Sequence, residues 1–542
     1  MSKIGDQAST VRVENREKIP EELGNLCLKT FASIYSIALW LEMAEGWEHP
    51  EFTWIGLILL LVTIIPQINL FKFCGYIIFT SVFFISAHFP DVANHVNLIL
   101  VANGCILFNA FYGTIRRDNF PSEADFYQTL VSPLRIALIS VYFWAGFHKL
   151  NTAFLDPYFS CSNSMFLGIL KMLQVRILGI PSSLILVAIA IAFLSQVMGT
   201  IKPSRRLWTI ILGLFLIAGL GAVSLIYWQL PEWLFPAFVL ATSITVLLWE
   251  LGGAVIMIFP RWQVIMLIVS LLMHLILAPI GFVDFGSLAF ALWLTFIPPN
   301  WQPALNRPVA IPLTKFQAPR ILVYLALNVA GGLLAALKHL TPLEFNLPEI
   351  GGIIFIVAVL VVIAPLVQQL IAQPRSWQGV AVINGKIPGL SYLILFILGL
   401  YAATSYLGLR TAGNFSMFSN LRTEGTASNH LLLGSNPLKI WHYQEDTVRV
   451  IEIDDEQAKI GHKYRPLKDH SLPVVEFRKL IYHWTQAGMT VPLVFEYGDR
   501  IYQTADIVND PRWQTTERTW EMKLMDFRLI QPDNGEPNYC RW

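Results

Sequence analysis

Charge is what this chain has little of. Of its 542 residues only 14% are Asp, Glu, Lys or Arg, while 55% are hydrophobic; a soluble protein carries about 25% charged residues. A soluble enzyme of ordinary composition is therefore excluded. The formal net charge of +1 excludes a bulk basic surface, so no nucleic acid is expected as a partner. Cysteine is scarce too. The five residues Cys27, Cys74, Cys105, Cys161 and Cys540 make no disulfide framework, and none shows the CxxC or Cys/His spacing of a zinc site, so no metal is expected. No GxGxxG between a strand and a helix, no phosphate loop, no HExxH and no GxSxG is present, which removes the motif-bearing nucleotide, zincin and serine-hydrolase chemistries. No span-length repeat is evident. The first 25 residues mix Lys3, Arg12, Arg16 and Lys18 with five acids. No short apolar core with a small-residue cleavage site follows, so the first span is expected to be its own anchor.

What is present is a long series of apolar runs. The charged residues divide unevenly, with 32 in 26–409 and 34 in 410–542. The middle is thus about 8% charged and the tail, near 26%, has an ordinary soluble composition. Windows of 17–25 mostly apolar residues fall near 26–44, 52–69, 73–89, 96–112, 134–150, 182–199, 207–229, 234–259, 263–280, 284–298, 321–337, 350–371 and 389–408. The expectation is an all-α polytopic membrane protein of about thirteen transmembrane helices with a small C-terminal α+β extramembrane domain. The segments are 1–25 (polar, cytoplasmic), 26–300 (transmembrane core), 301–409 (additional helices) and 410–542 (extracytoplasmic). With the N-terminus inside, 14 of the 18 basic residues of 26–409 fall on the cytoplasmic side, among them Lys72, Arg135, Arg261, Arg307 and Arg320. The outer loops instead carry acids such as Glu45, Glu51, Asp156 and Glu349, as the positive-inside rule requires. Thirteen crossings put the tail outside. Were the short segment 284–298 re-entrant instead, Arg307, Lys315 and Arg320 would fall outside, so charge favours its crossing. Residues 160–180 read as an interfacial amphipathic helix. In the tail, alternation over 447–453 and over 490–506, broken at Gly498-Asp499, predicts strands and a hairpin, and 473–487 an amphipathic helix. Trp513, Trp520 and Trp542 are expected in that unit's core or at its membrane edge.

A charged group at membrane depth costs about 2.5–3.5 kcal/mol on insertion scales. Lys149 is a basic residue on the outer side, at the end of a strongly apolar span, in YFWAGFHKLN. Snorkelling of its ammonium to the headgroups is one reading. Helical spacing favours another: Tyr142, Ala145, Gly146 and Lys149 stand at i, i+3, i+4 and i+7 on one face, and the Ala-Gly pair lets a neighbouring helix pack closely. Lys149 is then expected to point into the bundle. His148 lies about 100° around the helix, where an orienting role and a chemical one are both open. His88 and His95 flank the loop AHFPDVANHVN, and His274 lies about 9 Å below the outer boundary by helical rise. Lys149, Asn94, His95 and His274 are therefore expected to line one pocket open to the outer leaflet, although each histidine alone reads as a paired core group. Glu250, in WELGG, is expected in the inner half of its span as a paired structural brace. Asp284 and Arg261 read as boundary charges. A lysine held among apolar helices can be neutral and serve as a base, and neutral histidines can steady a developing oxyanion. That suits a membrane-soluble acid such as a hydroquinone. The other class open to the sequence is a non-catalytic transporter or scaffold, in which Lys149 merely snorkels or pairs.

YFWAGFHKLN resembles the signature of the vitamin K-dependent gamma-carboxylase family, whose membrane part is the horizontally transferred transmembrane (HTTM) domain. Asn94-His95, the acid of WELGG, Pro260-Arg261, and His274 ahead of Gly281, Phe285 and FIPPNW are similar as well. The likeness covers roughly 27–300, and FSMFSNLR with NHLLL resembles a pattern of microbial relatives. The resemblance implies a catalytic set of Lys149, His274 and His95, in which Lys149 is the base that deprotonates reduced vitamin K, a menaquinol- or phylloquinol-like hydroquinone. Asn94, His148, Tyr142 and Gly146 then belong to the substrate and cofactor site. O2-dependent epoxidation follows, with carboxylation of a glutamate or other acceptor by CO2 as a coupled step that the sequence leaves open. The partners implied are the lipid bilayer, a lipid-soluble quinone and a protein or peptide substrate on the outer face. One departure is His148, where the animal pattern has a second lysine. The tail of about 130 residues is shorter than the lumenal region of the animal enzymes, and propeptide binding is not carried over. Pairing of Cys161 with Cys540, both outside on this topology, is left open.

Overall fold

The computed structural model describes residues 19–45, 49–89, 92–117, 121–177, 179–198, 233–310, 317–340, 347–384, 389–425, 428–434, 438–454, 456–531 and 540. The chain is mostly helical. Its helices are α1 (Glu21–Ala44), α2 (Pro50–Ile64), α3 (Leu70–His88), α4 (Asn94–Arg117), α5 (Glu123–His148), α6 (Cys161–Gln174), α7 (Ser182–Met198), α8 (Phe235–Leu247), α9 (Gln263–Leu277), α10 (Val283–Trp293), α11 (Arg320–Leu340), α12 (Leu347–Ala372) and α13 (Gly389–Ala402). Among the described residues nine helices are long and apolar enough to cross a membrane. The shorter apolar helices Pro50–Ile64, Ser182–Met198 and Val283–Phe296 coincide with three further expected spans, and the expected span 207–229 lies outside the described residues.

α1 is the hub. It opens after Pro20 with Glu21 and Glu22 in the first turn, where acids complement the helix dipole. It is then apolar on all sides, as a helix surrounded by protein must be. Phe31, Tyr35 and Trp40 are fully buried. Two polar ties set its neighbours: Tyr35 donates to Asn103 Oδ1 of α4 at 2.8 Å, and Trp40 Nε1 to the Thr53 carbonyl of α2 at 3.2 Å.

α5 carries the Lys149 segment. Ser122 caps it, accepting from Asp125 N at 3.2 Å, so the helix begins eleven residues before the expected span. Arg135, counted as a cytoplasmic loop charge from the sequence, is instead buried within α5. Its guanidinium donates to the carbonyls of Thr295 and Ala381, each at 2.8 Å, because a charged group inside a helical bundle must find carbonyl acceptors where no water reaches. At the other end the helix closes on Lys149, whose N–H reaches the Gly146 carbonyl at 3.1 Å. Asn151 then caps a short turn, accepting from Phe154 N at 2.8 Å.

Residues beyond 410 form a four-stranded antiparallel sheet and a helix. The strands are β1 (Thr447–Glu452), β2 (Ser471–Pro473), β3 (Leu493–Tyr497) and β4 (Arg500–Thr504), in the order β2-β1-β3-β4. α14 (Val474–Gln486) packs Phe477, Leu480, Ile481 and Trp484 against Val448, Val450, Leu493 and Phe495. The alternation that predicts the strands comes from this one-sided burial. Trp513 belongs to this core, Trp520 is exposed, and Trp542 lies outside the described residues. The unit also holds a buried charge cluster. Glu476 and Lys479 are fully buried and 3.3 Å apart, Lys463 reaches Glu476 at 2.8 Å, and Arg410 reaches Asp526 at 3.7 Å. Because Arg410 follows closely on the last membrane-length helix, Gly389–Leu407, and Thr411 N–H donates to the Asp526 carbonyl at 3.0 Å, the sheet unit is fixed to the end of the bundle.

Candidate functional site

The end of α5 opens onto a cavity of about 140 Å³ walled by α4, α5, α6, α8, α9 and the 415–418 segment. Its lining is apolar apart from a few convergent groups, the usual composition of a small-molecule pocket. Asn94, His95, Lys149 and His274 all line it, so the four residues placed together from helical spacing and depth do meet. Tyr142 and Glu250 join them.

Lys149 points inward. Its Nζ lies 2.7 Å and 2.9 Å from the two oxygens of Glu250, and the residue is only 4% exposed. Snorkelling is excluded by that geometry. Glu250 lies in the C-terminal half of the span Phe235–Ile256 and is paired, as expected, its partner being Lys149. α8 also passes through a single π-helical turn, Leu248–Gly252, before resuming helix at Gly253–Ile256. Such turns are frequent at functional positions, and this one contains Glu250. Close approach of the two helices needs Gly146: a Cβ there would lie 2.7 Å from Leu251 N and 3.1 Å from the Glu250 Cβ.

Across the cavity Tyr142 and His274 share a hydrogen bond of 2.6 Å between the phenol and Nε2. Trp249 stacks edge-on to both rings and is anchored by Ser270 Oγ at 2.9 Å. Asn94 accepts from the Phe415 backbone N–H, which pulls Phe415, Met417 and Phe418 over the cavity as a wall. That segment holds non-glycine residues in left-handed backbone conformations, with φ of 66° at Phe415, 51° at Phe418 and 52° at Asn420. Each costs free energy and persists where surrounding contacts over-determine it. Here Asn420 accepts from Cys161 N at 2.7 Å and donates to the Phe159 carbonyl at 2.9 Å.

His148 does not line the cavity. It faces away from Lys149, as a residue one position round a helix must, with Nδ1 2.7 Å from the Tyr406 hydroxyl and Nε2 3.2 Å from the Asn414 carbonyl. Of the two roles open to it, the structure places it in the tie between α5 and the segment after α13. His88's side chain lies outside the described part.

His95 has partners the sequence reading missed. Its Nε2 is 2.9 Å from Glu42, 3.1 Å from Asp284 and 3.9 Å from Glu45. Asp284 is thus no boundary charge; it is 6% exposed and faces the histidine. Arg261, by contrast, is exposed and stacks on Trp262. The signal available for Glu42 was an acid within the last turn of the first apolar run. The amphipathic segment at 160–180 becomes α6, which lends Ser162, Met165 and Phe166 to the cavity wall, and its first residue, Cys161, is disulfide-bonded to Cys540. No protein-family model, curated protein or solved structure matches this chain.

Proposed function

We propose that the chain is an integral membrane enzyme that activates a lipid-soluble hydroquinone for O2-dependent epoxidation at the outer face. The observation that carries this reading is the buried Lys149–Glu250 pair at 2.7 Å in an apolar cavity that also contains the Tyr142–His274 pair. In a low-dielectric site the ion pair and the neutral amine–carboxylic acid pair differ by one proton moved over a short hydrogen bond, and desolvation penalises the charged form. In the neutral form Lys149 is a free amine and takes the hydroquinone O–H proton, while Glu250 holds the proton that the amine gave up. Tyr142 and His274 then offer a hydrogen bond to the second oxygen of the ring. A hydroquinone bound there supplies the reducing electrons for O2, giving epoxide and water. Carboxylation of a glutamate by CO2 is compatible with this set, because the strong base it needs would come from the oxidised quinol and not from lysine.

The thirteen-span topology, a cytoplasmic N-terminus and an extracytoplasmic tail belong to the same proposal. The Cys161–Cys540 disulfide supports it, since disulfides persist in oxidising compartments and this one joins the end of the bundle that bears Lys149 to the end of the tail. The bilayer, a lipid-soluble quinone and an outer-face protein or peptide are the partners proposed. The transporter reading draws on the interruption of α8 at Glu250. That interruption is a π turn within continuous helix, and it exposes no half-helix ends of the kind that bind transported ions.

The test is to incubate the purified protein in nanodiscs with reduced vitamin K, O2 and labelled bicarbonate. Epoxide and incorporated label are measured for wild type, Lys149→Ala and Glu250→Gln. Loss of epoxide formation in Lys149→Ala is the expected result, with turnover retained in Glu250→Gln, whose uncharged amide stands where the mechanism places a protonated carboxyl. Turnover untouched by Lys149→Ala overturns the base assignment, and no turnover with any quinol favours transport.

A further inference from the structure

We infer that Glu42, Glu45, His95 and Asp284 form a divalent-cation site beside the cavity. One ligand atom from each lies within 4.8 Å of the others, and the four come from three helix ends and one adjoining residue: the last turn of α1, the residue after it, the first turn of α4 and the first turn of α10. This is the arrangement of a ligand cage, because no single helix brings its own side chains to such a point.

Two further observations point to a missing positive charge. Three carboxylates share this space with one imidazole, and among the described residues no lysine or arginine pairs with any of them. In addition, Glu42 Oε2 and Asp284 Oδ1 are buried with no hydrogen-bond partner, on side chains 4% and 7% exposed. A buried, unsatisfied carboxylate oxygen is costly, since it has given up water and received nothing. The spacing suits a cation. With metal–ligand bonds of about 2.1 Å, adjacent ligands of an octahedral ion stand about 3.0 Å apart and opposite ones about 4.2 Å. The distances from His95 Nε2 to Glu42, Asp284 and Glu45 are 2.9, 3.1 and 3.9 Å.

The donor set selects the ion. Carboxylate oxygens suit Mg2+, Ca2+ and Mn2+, while imidazole suits first-row transition ions; three carboxylates with one imidazole therefore fit Mn2+ or Fe2+ best. The site is independent of the quinol reading. It also narrows the part of His95, whose Nε2 faces the carboxylates and is thereby a ligand, so that this nitrogen does not serve the substrate.

The experiment uses the full chain in nanodiscs, stripped with chelator and titrated with Mn2+, with free ion followed by EPR. One saturable Mn2+ per chain is expected. Glu42→Gln and Asp284→Asn should each weaken it at least tenfold, with the exposed neighbour Glu51→Gln as the unchanged control. Absence of a saturable site, or affinity unaltered by both variants, overturns the inference and leaves the carboxylates neutralised by protons instead. Should the variants not fold, the bound wild-type Mn2+ still decides the matter: its pulsed-EPR spectrum should contain coupling to a histidine nitrogen, and the lack of that coupling overturns the site.

Discussion

Lys149 Nζ and Glu250 Oε2 stand 2.7 Å apart, joining the C-terminal end of α5 to a π turn 101 residues later in the chain. Both groups are buried, so each is the other's main compensation for lost water. Breaking a buried pair by removing one partner costs about 3–5 kcal/mol, whereas replacing both by apolar groups of similar volume is often neutral. Lys149→Met and Glu250→Leu should each lower the thermal midpoint in detergent markedly, and the double variant should recover most of the loss. Additive losses would show that the two groups do not depend on one another.

Gly146 sets the spacing of that pair. Gly146→Ala places a methyl group 2.7 Å from Leu251 N, and backbone cannot yield as a side-chain tip can. Overpacking of this kind costs about 1–3 kcal/mol. The variant is expected to melt earlier and to lose quinol turnover. Wild-type turnover in Gly146→Ala would mean that the pair's geometry is not needed.

Tyr142→Phe removes a 2.6 Å hydrogen bond to His274 inside the cavity, while His148→Gln disturbs a bond to Tyr406 outside it. The first should abolish most quinol turnover and, by leaving the buried His274 Nε2 without its partner, also lower stability by about 1–3 kcal/mol. The second should lower stability and leave the apparent KM for quinol near wild type. Steady-state kinetics and melting curves read the two effects, and a reversed kinetic pattern would move His148 back into the site.

Asp526 ties the tail to the bundle. Burial raises its carboxyl, but Lys463, Lys479 and Arg410 outweigh that effect and hold it at about 2, below its ordinary 3.8. A carboxyl depressed in the folded state stabilises the fold above its unfolded value, and the contribution disappears as pH falls through the folded one. On the order of 2 kcal/mol should thus be lost between about pH 4 and pH 2. Asp526→Asn should lose this stability already at pH 7 and flatten the acid limb of an unfolding curve. An acid limb identical to wild type would count against this assignment.

Cys161 and Cys540 are disulfide-bonded, and Cys27, Cys74 and Cys105 are free. Alkylation of the denatured protein without reductant should label three cysteines, and five after reduction, as read by intact mass. Five labelled without reductant would dismiss the bond and with it a support for an external tail.

Much of the bundle was legible because a bilayer imposes one dominant constraint: apolar runs of sufficient length become helices whatever their details. The strands at 447–452 and 493–504 were legible for a similar reason, since one-sided burial writes a period of two into the sequence. Lys149's inward aim followed from its seat on the same face as Ala145 and Gly146. Less legible was depth along a helix. Arg135 was misplaced because α5 starts well before its apolar run.

By itself the sequence determined the periodicities and the division of the chain into a charge-poor and a charge-rich part, since both are written residue by residue along it. Tertiary structure alone decided which charges became partners: Glu250 for Lys149, Glu42 and Asp284 for His95, Tyr406 for His148. The reason is physical. A side chain's partner is set by how helices distant in the chain cross, and small residues and helical offsets that permit a close crossing do not say which other helix fills it.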